Sequence, residues 1–321
     1  MAASAEILAT IPVDMEPKWV AASPDGARAY VTLSDLSGPG PSKGALAVID
    51  TTTNTVTATI AVGRQPSGVV ADHSHAYVAC LGHDGGVVSV IDTTTNMVVD
   101  TISVSGPTGL PHGLAITPDG RQLYVCAETG EGTGQGAVTI IDIGTRAIVA
   151  TAAMSPCDIQ SSVAITPDGG RALVTDIIGS GPAVIDTATH DLTFPLQTSF
   201  GCGRLAITPN GLLAYLVGDG TDSGDVIDLA ANKSVGIIDV FGANSTDVAV
   251  TPDGRHVYVS QRPGKSAGGR LLVFDTATQK RVDPPIKVPE SADGLAFTPD
   301  GQRLYVSDKR TRSVHVVAVR P

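Results

Sequence analysis

The stretch GLAITPDGRQLYV, residues 113–125, decides the fold. An apolar segment, GLAI, enters a Pro-Asp-Gly turn, and a second segment, QLYV, leaves it. Proline presets φ for the turn, the aspartate side chain bonds the turn backbone, and glycine accepts positive φ, so the phrase reads as two antiparallel strands joined by a tight connection. It recurs as SPDG at 23–26, as TPDG at 166–169, 251–254 and 298–301, and as TPNG at 208–211. Pro24 and Pro118 stand 94 residues apart, twice 47, and ADHSHAYV at 71–78 supplies a degenerate copy in the gap. The later intervals are 49, 42, 43 and 47 residues, which makes seven units.

Each unit continues in the same order. A Gly-rich loop follows the second strand, then a third strand such as VTIID at 138–142, a Thr/Asn turn, and a fourth segment such as TVTATIAV at 55–62. Alternating apolar residues make this a four-stranded antiparallel meander. EILATIPV at 6–13 matches a fourth strand with no three before it, and VHVVAV at 314–319 matches a third strand with no fourth. The sequence therefore predicts an all-β fold, a seven-bladed β-propeller of four-stranded antiparallel blades. It spans 1–321 as a single domain, with residues 6–13 as outer strand of the blade formed mainly by 290–319. Closure of this kind removes exposed sheet edges, and repeats of this period carry a chain to such length without separate cores.

AYVT at 29–32, LYVC at 123–126, VYVS at 257–260 and LYVS at 304–307, together with VIDTTTNTV at 48–56 and VIDTTTNMV at 90–98, resemble the blades of YVTN-family propellers over nearly the whole chain. The resemblance implies the fold. That family includes bacterial surface-associated and nucleic-acid- or ligand-binding propellers and has lactonases among its relatives, so the resemblance does not single out a function. One departure stands out: the Asn position of the motif holds Leu33, Cys80, Ala127, Asp176, Gly218, Gln261 and Asp308.

Composition narrows the partners. Apolar residues make up 42% and aromatics 4%, so Val, Ile, Leu and Ala must build the interior. A net charge of -11 disfavours a nucleic-acid partner, whose binding depends on basic groups displacing counterions. No run of about 18 apolar residues is present for a membrane span. MAASAEILATIPV lacks the basic and apolar segments of an export signal, so a cytoplasmic location is expected, or a secreted one if a leader has been trimmed. Cys80, Cys126, Cys157 and Cys202 show no CxxC spacing, so buried free thiols are expected, with a Cys157–Cys202 disulfide as the alternative.

Repeated polar residues read as structure. Asp50, Asp92, Asp142, Asp186, Asp228 and Asp275 end the third strand and precede small or Thr residues, the pattern of a side-chain-to-backbone turn. ETGEGTGQG at 128–136 precedes a strand rather than a helix and is a hairpin loop, not a phosphate cradle.

Unlike residues at equivalent positions read as chemistry. Six residues before each repeat proline stand Lys18, Ser67, His112, Ser161, Gly203, Thr246 and Asp293; five before stand Trp19, Gly68, Gly113, Ser162, Arg204, Asp247 and Gly294. A purely structural repeat would keep these alike, so a ligand site at the mouth of the central channel is expected there. Loops between second and third strands add Asp35, His83, Asp84, Glu128, Asp176, Asp219, Gln261, Arg262, Asp308, Lys309 and Arg310. His112, oriented by Glu128 of the same blade, is the expected proton carrier. Lys18, Trp19, Arg204, Asp247, Asp293, Asp176, Arg262 and Lys309 are the expected ligand-binding set, suited to an anionic small molecule. His315, with His73, His75, His190 and His256, falls on turns or strands and reads as structural.

The leading expectation is a small-molecule-binding propeller doing acid-base chemistry of the lyase, isomerase or cyclase type. One alternative is a non-catalytic scaffold binding a protein or surface component. Another is a metal-dependent, lactonase-like hydrolase. No cofactor is expected in the leading reading; a divalent metal would take His83, His112 and Glu128, with Asp84 nearby.

Overall fold

The computed structural model describes residues 6–35, 42–104, 109–128, 136–154, 162–175, 181–194, 196, 198, 203–218, 221–241, 244–262, 268–282 and 284–319. It is all-β, a seven-bladed β-propeller of four-stranded antiparallel sheets. After β1 (Glu6–Pro12), the first sheet takes β2 (Glu16–Ala22), β3 (Arg28–Asp35), β4 (Lys43–Asp50) and β5 (Thr55–Val62). The second takes β6 (Val69–Ala71), β7 (His75–Leu81), β8 (Gly86–Asp92) and β9 (Met97–Ser103). The third takes β10 (Pro111–Ile116), β11 (Gln122–Glu128), β12 (Gly136–Asp142) and β13 (Ala147–Met154). The fourth takes β14 (Val163–Ile165), β15 (Arg171–Val174), β16 (Ala183–Asp186) and β17 (Leu192–Thr193).

The fifth sheet takes β18 (Arg204–Ile207), β19 (Leu213–Val217), β20 (Ser223–Asp228) and β21 (Lys233–Asp239). The sixth takes β22 (Asn244–Val250), β23 (His256–Arg262), β24 (Arg270–Asp275) and β25 (Ile286–Lys287). The seventh takes β26 (Leu295–Phe297), β27 (Arg303–Asp308) and β28 (Ser313–Ala318), and β1 completes it, pairing antiparallel with β28. The chain divides into two compact units, Met1–Leu33 with Ala47–Thr59 and Arg204–Pro321, and Ser34–Leu46 with Ile60–Gly203.

The turn phrase folds as its chemistry requires. In TPDG at 117–120 the Thr117 hydroxyl donates to Asp119 Oδ1 at 2.6 Å, the same oxygen accepts the Arg121 N–H, and Gly120 sits at φ 70°. The repeated third-strand aspartates behave as expected from sequence: Asp50 Oδ1 accepts the N–H groups of Thr52 and Thr53, and Asn54 closes the turn at φ 54°. These bonds to the Thr53 backbone and hydroxyl hold the Asp50 carboxyl below the ordinary carboxylate range.

Each unit has its own apolar interior. In the first, Tyr215, Val226, Val248, Val257 and Phe274 pack between the fifth and sixth sheets, and Tyr258, Leu271, Leu295 and Val306 between the sixth and seventh. In the second, Tyr77, Val90, Leu114 and Leu123 fill the space between the second and third sheets, and Tyr124, Ile140, Val163 and Ile185 that between the third and fourth.

The Thr/Ser of the Tyr-Val-Thr/Ser phrase has a job in joining sheets. Ser260 Oγ donates to the Asp293 carbonyl at 2.8 Å and Ser307 Oγ to that of Lys18 at 2.6 Å. Each bond ties the second strand of one sheet to the entry of the next sheet's first strand.

Candidate functional site

In the first unit, the first strands of the fifth, sixth, seventh and first sheets lie side by side in the order β18, β22, β26, β2. Their leading residues include Arg204, Asp247, Asp293, Lys18 and Trp19. The Arg204 guanidinium carbon stands 4.2 Å from the centre of the Trp19 ring. Two sheets separate β18 from β2, so these side chains reach across the ends of β22 and β26 to meet. A cation held over an indole contributes about 0.5–2 kcal/mol. Arg204 Nε also donates to the Thr246 carbonyl at 3.2 Å, which fixes the plane of the guanidinium.

Asp247 lies between them along the sheet order. Its Oδ1 accepts the Val248 N–H at 2.9 Å and its Oδ2 the Leu295 N–H at 2.8 Å. It keeps some exposed surface, yet burial pushes its carboxyl up to about 6, with Arg204 and the two N–H donors pulling it down. A group that touches solvent but is surrounded by protein is recessed. Burial likewise lowers the Lys18 ammonium from its ordinary value, the Lys309 ammonium lowers it further, and Glu16 opposes them. Lys309 is thus close enough to Lys18 to disfavour the Lys18 charge.

Asp293 and Arg262 form an ion pair, Oδ1 to Nη2 at 2.6 Å, with side-chain exposures of 10% and 30%. Asp293 Oδ2 accepts the Lys309 N–H at 3.3 Å. Lys18, Trp19, Arg204, Asp247, Asp293, Arg262 and Lys309 therefore all fall in the first unit, in one connected neighbourhood.

His112 and Glu128 belong to the second unit. They occupy the same end of the adjacent strands β10 and β11, where Pro111 faces Ala127, and His112 is half-buried. The carbonyl of His112 accepts the Gly68 N–H at 3.0 Å, and a Cβ on Gly68 would lie 2.2 Å from that oxygen. Gly294 plays the same part in the first unit, where a Cβ would lie 2.5 Å from the Lys18 carbonyl oxygen. The variation at these positions is therefore divided. Gly68 and Gly294 are small for close packing, Ser67 bonds the Pro111 carbonyl, and Thr246 bonds that of Ala292.

The second-to-third-strand set is corrected: Asp35, Glu128, Gln261, Arg262 and Asp308 are strand residues rather than loop residues. Of these, Gln261 and Asp308 have no exposed surface. Gln261 donates to the Val240 carbonyl and accepts from Arg270 Nε, and Asp308 bonds His315. Both are buried polar side chains that need internal partners. His83 and Asp84 pair with each other at 2.7 Å, exposed at 96% and 92%. Among the described residues no group of three or more His, Cys, Asp or Glu side chains gathers as metal ligands. Asp176, Asp219, Ser161, Cys157, Cys202 and the side chain of Glu128 lie outside the described residues, and Cys80 and Cys126 are buried thiols outside any disulfide.

Sequence reasoning passed over Ser291 and Thr10 and read His315 as structural; the three hold this neighbourhood from beneath. Their signal is tertiary: Thr10 and His315 are 305 residues apart and meet at 3.1 Å. At the other end of the same strands a cavity of 520 Å³ is lined by Leu8, Pro252, His256, Arg303 and Val319 among others. Its carboxylates, Asp253 and Asp300, are tied to their own turns through Thr251 and Thr298.

No protein-family model matches the chain, and no curated protein sequence matches it.

Proposed function

We propose that this chain binds a small anionic molecule at the Lys18–Trp19–Arg204 neighbourhood of its first unit. The observation that carries the reading is the meeting of Arg204 and Trp19 from non-adjacent sheets, with Lys18 and Lys309 beside them, in a protein whose net charge is -11. Like charges held together in a recess are relieved by an anion, and desolvated cations bind one more strongly than exposed cations do. The flat face of Trp19 suits an apolar or planar part of the same molecule. Acid-base turnover of the lyase, isomerase or cyclase type is the reaction class we attach to this reading, with Asp247, whose carboxyl is pushed up to about 6, as the titrating group of the neighbourhood; the His112–Glu128 pair belongs to the second unit and is a separate proposal there. The YVTN-family likeness rests on the Tyr-Val-Thr/Ser and Val-Ile-Asp-Thr phrases and adds the fold, not the ligand.

Trp19 is the single tryptophan, so tryptophan emission excited beyond the tyrosine band reads this site alone. Titration with citrate and with inorganic phosphate is expected to change the emission saturably, more tightly at pH 5 than at pH 8 because ionised Asp247 repels the anion. Lys18→Ala and Arg204→Ala are each expected to weaken binding by about tenfold, as loss of a charge-assisted hydrogen bond does. Emission that neither anion alters removes the anion reading and leaves the scaffold as the better account.

A further inference from the structure

We infer that His315 is a positioning residue for Arg262 and Lys309, acting through a buried polar chain that runs from the N-terminal strand to the candidate site. Thr10 Oγ1 on β1 bonds His315 Nδ1 at 3.1 Å, and His315 Nε2–H donates to Asp308 Oδ2 at 3.3 Å. The Ser291 hydroxyl lies 3.1 Å from Asp308 Oδ1 and 2.7 Å from Asp293 Oδ2. Having one proton, it donates to one carboxylate at a time, the nearer being Asp293, and the Glu290 N–H, donating to Asp308 Oδ2 at 3.1 Å, keeps the segment tied to Asp308. Asp293 Oδ1 then takes Arg262 Nη2 at 2.6 Å, and Asp293 Oδ2 also accepts the Lys309 N–H. Every member from His315 to Ser291 has no exposed surface, Asp293 is 8% exposed, and the chain reaches solvent at Arg262.

The fold does not demand this chain. Positions in register with His315 in the second to sixth sheets hold Ser89, Thr139, Ala183, Asp225 and Leu272. Those equivalent to Asp308 include Leu33, Cys80 and Ala127. None of these sheets buries a His-Asp pair at the two positions. A buried polar pair is costly unless its groups are hydrogen-bonded, so its presence in one sheet calls for a local purpose. In the seventh sheet the pair stands behind a gripped cation: Asp293 is held from behind by Ser291 and in front binds Arg262 of the sixth sheet. A guanidinium anchored through one Nη with its carboxylate itself anchored is preorganised, which is how supporting hydrogen bonds sharpen a binding site.

The inference rests on the proposed anion site but can be read without a ligand. In ligand-free protein, the 15N-resolved Nη–H signals of Arg262, assigned by their loss in Arg262→Lys, are expected to be sharp and slow to exchange in the wild type and broadened in Ser291→Ala and His315→Leu. His315→Gln, whose amide still donates to Asp308, is expected to restore them. In the citrate titration the same two variants are expected to weaken binding by about tenfold, the scale of coupling between neighbours in one network. That loss should vanish in an Arg262→Ala background and persist in an Arg204→Ala background. An unchanged Arg262 signal in Ser291→Ala, which removes one hydroxyl and keeps the fold, overturns the inference, as does weakening that is equal in both backgrounds. Absent citrate and phosphate binding with an altered Arg262 signal condemns the anion reading alone.

Discussion

Asp247 and Asp308 are both withdrawn from water, and their carboxyls move in opposite directions. Burial raises both; at Asp247 it prevails and the value reaches about 6, whereas at Asp308 the His315 bond and the N–H groups of Thr311, Ser291 and Glu290 outweigh it and the net shift is downward. The sign at Asp247 follows from linkage: its folded value lies above the unfolded one near about 3.9, so the folded chain holds the extra proton between about 4 and 6. Its contribution to stability is present below that window and is lost as pH rises through about 6. Urea unfolding of wild type and Asp247→Asn from pH 4 to 7 is expected to show the wild type losing stability relative to the variant across the window; parallel curves would refute the assignment. The turn aspartates were legible from sequence because Asp50 and Asp119 bond residues two or three places away. Asp247 was legible only as an odd residue in a repeat, since its partners Arg204 and Leu295 are remote.

Among elements, the first strands position the site and their spacing is set by glycine. β26 approaches β2 so closely that a Cβ on Gly294 would meet the Lys18 carbonyl oxygen at 2.5 Å and the Trp19 Cα at 3.1 Å, backbone atoms with no rotamer to yield. Gly294→Ala is expected to cost about 1–3 kcal/mol, as overpacking does, and to shift Trp19 emission before any ligand is added. Wild-type stability with unchanged emission would show that β2 is free to move. The strand order, the four-strand unit and the turns were readable from alternation and from Pro-Asp-Gly. The roles of Gln261 and Asp308 were not, because a strand end and a loop start look alike in sequence when the inward partner, Arg270 or His315, lies on the next strand.

For the whole molecule, the pairing of β1 with β28 joins the two ends of the chain in one sheet. Removing residues 1–12 leaves the β28 edge open, exposes the site now covered by Ile11, and strips Thr10 from His315. Burial of Ile11 alone contributes about 1.5–3 kcal/mol, so the truncated chain is expected to unfold at lower urea by at least that margin and to aggregate through the unpaired edge. A truncated chain with the full-length midpoint would refute that role for β1. The sequence by itself determined the seven units, their four strands and the fourth-strand character of residues 6–13, because hairpin turns and alternation are local and repeat. Only the tertiary structure decided that Arg204 lies over Trp19, that Asp247 is recessed, and that Thr10, His315, Asp308 and Ser291 stand behind Arg262. Those contacts join residues tens to hundreds of places apart, and a local pattern carries no record of which distant strand a side chain will face.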